Sequence, residues 1–136
     1  MISPKYHREI PQRYRLEAAK CKGCGNISFP PRLVCPECGK NETASPAGGF
    51  EIFKLNDEGK LLTYTIIRVA SDKFFGTTPF AVGIVELKDG VKLTTQIADV
   101  NFDDLKIGQK VKLVFRKIQD EGKSGLHCYG YKAILI

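Results

Sequence analysis

Cys21-Lys22-Gly23-Cys24-Gly25 and Cys35-Pro36-Glu37-Cys38-Gly39 decide how this 136-residue chain is read. Each is a Cys-x-x-Cys pair followed by glycine, and ten residues lie between the pairs. A Cys-x-x-Cys turn aims two sulfurs at one ion, and four thiolates in a tetrahedron suit a structural Zn2+. Tetrahedral sulfur suits Fe as well, so the residue types leave both metals open. Glycine after each pair permits the tight turn in which backbone N–H groups face the sulfurs. Protein fills all four positions, which leaves no place for substrate or water at the ion. Cys21, Cys24, Cys35 and Cys38 are therefore read as structural ligands, not catalytic ones. The cysteine count is five, which argues against a disulfide framework and leaves Cys128 alone.

Outward from the knuckles, residues 15–40 form a ribbon. Arg15 to Lys20 leads in as a short strand, and Asn26 to Arg32 crosses between the pairs. Residues 1–14 read as a helical segment. Ser3-Pro4 is an N-cap with proline at the first helical position, and Pro11 begins a second turn. Tyr6, Ile10 and Tyr14 recur every fourth residue and make one apolar-aromatic stripe. That stripe packs on the chain's own body or docks on a partner. Residues 41–49 are small and polar with Pro and Gly, the composition of a linker.

Residues 50–136 are strand-like. Phe50–Lys54 and Lys60–Val69 flank Asn56-Asp57-Glu58-Gly59; Phe80–Leu87 and Val91–Ile97 flank the hairpin signal Lys88-Asp89-Gly90; Val111–Arg116 and Cys128–Leu135 follow. The fold class is mainly β: an N-terminal helical segment, a rubredoxin-like zinc ribbon and a five- to six-stranded OB-fold barrel. The insert at 100–108 lies where an OB-fold places a helix or turn. On the Phe80 strand, Ala81, Gly83, Val85 and Leu87 form a small apolar face, to which a subunit interface or the chain's own ribbon or helix is suited. No aromatic interleaves with Lys92, Thr94 and Gln96 on the next strand, which counts against a single-strand nucleic-acid face. Phe74 and Phe75 are adjacent in a loop, either one capping the barrel with the other facing a partner or ligand, or both folded over the barrel mouth.

Catalytic signals are weak. His7 lies in the terminal segment. His127 adjoins Cys128, but neighbours on a strand point to opposite faces. Asp103-Asp104 reads as helix-start charge. No phosphate loop or dinucleotide fingerprint is present. A binding or scaffolding module is expected, and not an enzyme. Met1-Ile2-Ser3-Pro4-Lys5-Tyr6 lacks the apolar run of a secretory signal, and no stretch reaches the roughly 18 apolar residues of a membrane span. A cytoplasmic protein without a membrane partner is the expectation. Net charge is +6. Residues 1–40 hold eight Lys/Arg against three Asp/Glu, the remainder thirteen against twelve, so basic character gathers around the ribbon. Such charge either attracts nucleic acid, a phosphate-bearing ligand or an acidic protein surface, or is ordinary solubilising charge.

The run Ile10-Pro11, Tyr14-Arg15-Leu16, the two knuckles and Phe29-Pro30-Pro31-Arg32 between them carries a resemblance. Downstream stand Gly59-Lys60-Leu61-Leu62-Thr63-Tyr64-Thr65, Pro79-Phe80, Ile84-Val85-Glu86-Leu87, Ile107-Gly108-Gln109-Lys110-Val111 and Tyr129-Gly130-Tyr131. The chain resembles the small acyl-CoA-associated proteins that join an N-terminal helix, a rubredoxin-like zinc ribbon and an OB-fold, formerly a domain of unknown function. The resemblance implies a non-catalytic bridging subunit in a hetero-oligomer. Archaeal members hold acetoacetyl-CoA thiolase to HMG-CoA synthase in the mevalonate pathway, so that acetoacetyl-CoA passes between them. Other members serve thiolase-like or hydratase acyl-CoA enzymes. With a CoA thioester as shared ligand, Arg32 and Lys73 are candidates for its phosphates. Tyr64, Phe74 and Phe75 are candidates for an apolar channel or for stacking on adenine. Tyr6, Ile10 and Tyr14 become the partner-docking candidates. The alternative is a nucleic-acid-binding ribbon and OB-fold protein.

Overall fold

Pro11 sets the start of the chain's second helical turn. The computed structural model describes residues 4–32, 34–39, 49–74, 76–120, 125 and 127–136, and for Lys5, Tyr6, Lys73 and Asp120 the backbone alone. A short turn, α1 (Lys5–Arg8), leads to α2 (Ile10–Arg15), where proline occupies the first turn at no hydrogen-bonding cost. Leu16 closes α2 in the left-handed region (φ 52), its N–H donating to the Pro11 carbonyl. That reversal feeds the chain directly into the ribbon. Ser3, and the linker residues 41–48, lie outside the described residues.

The ribbon sheet has the order β2–β1–β3, from β1 (Glu17–Cys21), β2 (Ile27–Ser28) and β3 (Phe50–Lys54). β3 corrects one expectation. The sequence reading places Phe50–Lys54 in the barrel domain, on the near side of a turn at Asn56–Gly59, but β3 runs antiparallel to β1 from Glu17↔Lys54 to Cys21↔Phe50. The reason is local. Asn56 Oδ1 accepts the Glu58 N–H at 2.9 Å, and the Asn56 N–H donates to an Asp89 carboxylate oxygen. A side chain that bonds its own backbone two residues on bends the chain without pairing the flanking strands. The segment is a corner between sheets, not a hairpin.

The barrel is closed, in the order β4–β5–β6–β8–β7. Its strands are β4 (Glu58–Ile67), β5 (Phe80–Leu87), β6 (Lys92–Ile97), β7 (Lys110–Asp120) and β8 (His127–Leu135). Contacts between β4 and β7 close one seam, and a parallel contact, Ile97↔Ala133, closes the other. Five strands in this order, with one parallel contact, are the OB-fold. A bulge between Leu61 and Thr63 lets the long β4 bend round the barrel. Lys88-Asp89-Gly90 forms the expected turn, with Gly90 at φ 83. The 100–108 insert holds a 3-10 turn, Phe102–Asp104.

Leu61, Val85, Leu87, Val111, Leu113, Ala81 and Ala133 fill the barrel, and Leu16 and Ala18 from the ribbon side join the same core. The Leu55 N–H also donates to the Leu16 carbonyl at 3.0 Å. Ribbon and barrel thus share one apolar cluster. The small face of β5 goes inward, into the core that Leu16 and Ala18 join, so the chain's own elements cover it and not a second subunit. A Cβ on Gly83 would stand 2.7 Å from Leu61 Cδ1 and 2.8 Å from the Thr63 carbonyl oxygen. The close neighbour is the barrel's own β4. Among the described residues, no helix is long and apolar enough to cross a membrane.

Candidate functional site

Each knuckle is a turn closed by glycine. Cys21 ends β1, and the Gly25 N–H returns to its carbonyl at 2.9 Å; the Gly39 N–H returns to the Cys35 carbonyl at 3.0 Å. Gly25 and Gly39 take φ of 78 and 71, a region that side chains with Cβ rarely enter. The two turns face each other. Cys21 Sγ lies 3.6 Å from Cys38 Sγ, and Cys24 Sγ lies 3.4 Å from Cys35 Sγ. All four sulfurs fall within 4.8 Å of one another. A tetrahedron with metal–sulfur bonds of about 2.3 Å has edges of about 3.8 Å, so the cage fits a zinc-sized ion.

The electrostatics point the same way. Backbone N–H groups of Cys38 and Glu37 hold the Cys35 thiol down, at about 6 against the usual 9.0. The backbone at Cys24 and Gly23 lowers Cys21. At Cys24 the Asn26 backbone acts downward, but the Cys35 sulfur, burial and the other two sulfurs prevail and push it up to about 12. Four thiols in this space cannot all ionise unless a cation joins them. A bound ion would be held by Cys21, Cys24, Cys35 and Cys38 and would lock the two knuckles together.

Among the described residues, Arg32, Tyr64 and Phe74 do not gather into one site. Arg32 is exposed and lines a groove of about 290 Å³ with Arg8, Gln12, Glu51 and Ile52, between the helical segment and the ribbon sheet. Tyr64 sits half-buried in the barrel, its hydroxyl donating to the Leu105 carbonyl at 3.0 Å. Phe74 packs its ring on Phe80 at 5.5 Å, and Thr77 Oγ1 donates to its carbonyl at 2.6 Å. Neither Tyr64 nor Phe74 lines the Arg32 groove. Phe75 and the side chain of Lys73 lie outside the described residues.

The helical stripe divides as well. Ile10 is half-buried at the start of α2, and the Tyr6 side chain lies outside the described residues. Tyr14 meets Phe115 of β7 edge to face, with centroids 5.2 Å apart. The Tyr131 hydroxyl donates to the Tyr14 carbonyl at 3.1 Å, and Arg13 Nη2 donates to the Tyr129 carbonyl at 3.0 Å. The segment is tied to the barrel. Phe115 and Tyr129 stack at 5.5 Å with planes 15° apart, and Tyr131 meets Phe115 edge-on at 5.8 Å. Sequence reasoning missed this cluster because it examined β5 and β6 for aromatics. The signal was present in Phe115-Arg116-Lys117 and Tyr129-Gly130-Tyr131, on strands that pair. Cys128 is buried on β8 and His127 exposed beside it, as the alternation requires.

Comparison with known proteins agrees with this architecture. The profile of the ChsH2 rubredoxin-like zinc ribbon domain matches residues 8–42, and that of the ChsH2 C-terminal OB-fold domain matches residues 54–116. A DUF35 domain-containing scaffold protein of Methanothermobacter thermautotrophicus is 42% identical over 125 residues, covering 92% of this chain and 90% of that protein. The benzoylsuccinyl-CoA thiolase subunit BbsA of Thauera aromatica is 26% identical over 121 residues, 86% of this chain and 74% of its own. Among solved structures, a chain of the Ltp2-ChsH2(DUF35) aldolase shares the fold, with a TM-score of 0.72, 21% identity and coverage of 98% and 96%. The chain belongs to the DUF35 family of scaffold proteins, built from a ChsH2-type zinc ribbon and an OB-fold.

Proposed function

We propose that this chain is a non-catalytic bridging subunit. It holds an acetoacetyl-CoA thiolase against an HMG-CoA synthase, so that acetoacetyl-CoA passes from one to the other. The observation that carries this reading is the 42% identity, along nearly the full length, to a protein named a scaffold. Two features support it. The four cysteines close the metal site with protein ligands, which suits a structural ion. Ribbon and barrel share one core through Leu16 and Ala18, which gives a platform whose two halves hold a fixed relation. BbsA, a subunit of a thiolase, and the Ltp2-ChsH2(DUF35) aldolase supply the partner class: thiolase-like enzymes.

Within this proposal Arg32, Tyr64, Lys73, Phe74 and Phe75 are the residues assigned to a CoA thioester, the Tyr64 hydroxyl also donating to the Leu105 carbonyl. Tyr6, Ile10 and Tyr14 belong to the docking side. Co-expression of the three proteins followed by size-exclusion chromatography tests the reading. One peak containing all three is expected, with the two enzymes separating when this chain is left out. Elution of the chain by itself beside the free enzymes contradicts it.

A further inference from the structure

The ribbon sheet keeps one open edge of useful length. The barrel is closed, and β2, at two residues, offers little to pair with. β3 is five residues long, and among the described residues only β1 pairs with it. The phase of that pairing fixes which backbone groups are free. The Leu55 N–H donates to the Leu16 carbonyl and the Lys22 N–H to the Gly49 carbonyl, each at 3.0 Å. Opposed residues in an antiparallel ladder alternate between bonded and unbonded pairs. Glu51 and Phe53 therefore bond to β1, while Phe50, Ile52 and Lys54 turn their N–H and C=O groups outward. No described group meets them. The side chains sort by face as well. Ala18 and Phe53, opposed across β1 and β3, pack on the barrel core. Ala19 and Ile52, the next pair, face the other way, onto the groove beside Pro11, Pro31 and Arg32. Ile52 is 78% exposed there, and of the three outward positions only Lys54, at the end, carries charge.

We propose that β3 is a docking edge, to which an extended segment of the partner enzyme adds as a further strand with an apolar side chain set beside Ile52. The inference rests on the bridging reading and adds to it the place and the chemistry of one contact. Unpaired backbone donors and acceptors specify the occupant, because an extended peptide matches their spacing. Sheet proteins ordinarily guard such an edge with charge, proline or a covering loop, and the centre of β3 has none of the first two. Main-chain bonds to the three outward residues supply affinity, and Ile52 with the groove beside it supplies selectivity. Size disfavours a second copy of this chain. A five-residue pairing is about 17 Å long, too short by itself to bury the roughly 1,200 Å² of a stable dimer. A strand from an enzyme held at further contacts needs no such area from this edge.

The test measures the affinity of the purified, metal-loaded chain for acetoacetyl-CoA thiolase and, separately, for HMG-CoA synthase, both from the same genome. Ile52→Pro removes an outward N–H and no bond to β1, and Ile52→Lys sets a charge at the centre of the edge. Each is expected to weaken binding to one of the two enzymes about tenfold or more, with Ile52→Val binding as wild type does. Addition of that enzyme to the wild-type chain is expected to protect the Ile52 and Lys54 amides from hydrogen exchange. Thermal melts and metal content establish that each variant is folded, and Ile52→Lys, at an exposed site, serves if Ile52→Pro does not fold. Wild-type affinity of Ile52→Lys for both enzymes overturns the inference and leaves the bridging reading standing. Weakened binding without protection of those amides assigns the effect to the side chain alone and also overturns it. A wild-type chain that binds neither enzyme removes the bridging reading and this edge with it. A chain that dimerises in sedimentation, and does so less as Ile52→Lys, gives the edge to a second copy and overturns the proposal.

Discussion

Cys35 shows what a single residue contributes here. Two backbone N–H groups steady its thiolate, and the glycine at position 39 lets the turn deliver them. Its folded value, about 6, lies below the usual 9.0. A depressed value gives stability that is complete above the unfolded value and is lost as pH falls through the folded one; a bound metal moves that window lower. Acidification below pH 6 is therefore expected to release metal, read with a chromogenic zinc indicator, and elemental analysis at neutral pH is expected to give one ion per chain. Cys35→Ser should lose the ion and lower Tm by on the order of 10 °C. Full metal content in that variant contradicts the assignment. At Tyr64 the account is equally specific. Tyr64→Phe removes one hydrogen bond to the Leu105 carbonyl and should cost about 1 kcal/mol in urea denaturation.

Elements were legible in the sequence to the extent that local chemistry fixes them. The knuckles and the Lys88-Asp89-Gly90 turn follow from residue type and spacing. The partner of β3 does not, since the Asn56 corner and a hairpin turn share the same local signal; only the Asp89 contact, 33 residues away, separates them. The inward face of β5 was legible as a close approach, but not which element approaches. Gly83→Ala tests the answer. Its Cβ would press on Leu61 and the Thr63 carbonyl, and overpacking of that kind should cost about 3 kcal/mol. An unchanged urea midpoint contradicts the packing described. The helical segment has its own test. Tyr131→Phe frees the Tyr14 carbonyl and should raise amide hydrogen exchange in α2 while the barrel strands keep their protection.

At the scale of the whole molecule, the metal cage and the barrel were readable from spacing and periodicity, whereas the ring cluster was not. Arg13 and Tyr129 are 116 residues apart and meet only because α2 folds back onto the far hairpin. Residue type put Arg32, Tyr64 and Phe74 forward for a common ligand; the Tyr64 hydroxyl bonds the Leu105 carbonyl, and Arg32 lines a groove beside the ribbon that neither Tyr64 nor Phe74 lines. The shared core explains why a ribbon with no chemistry of its own bears on function. Leu16 and Ala18 join the ribbon to the barrel core, so under the proposed bridging role partners held by the two halves would keep a fixed geometry. Sandwich capture tests this most directly. Immobilised thiolase is exposed to HMG-CoA synthase with no chain, with the metal-loaded chain, and with the chain stripped of metal. The account predicts synthase capture with the metal-loaded chain alone. Equal capture without the chain contradicts bridging, and equal capture with the stripped chain contradicts the role assigned to the four cysteines.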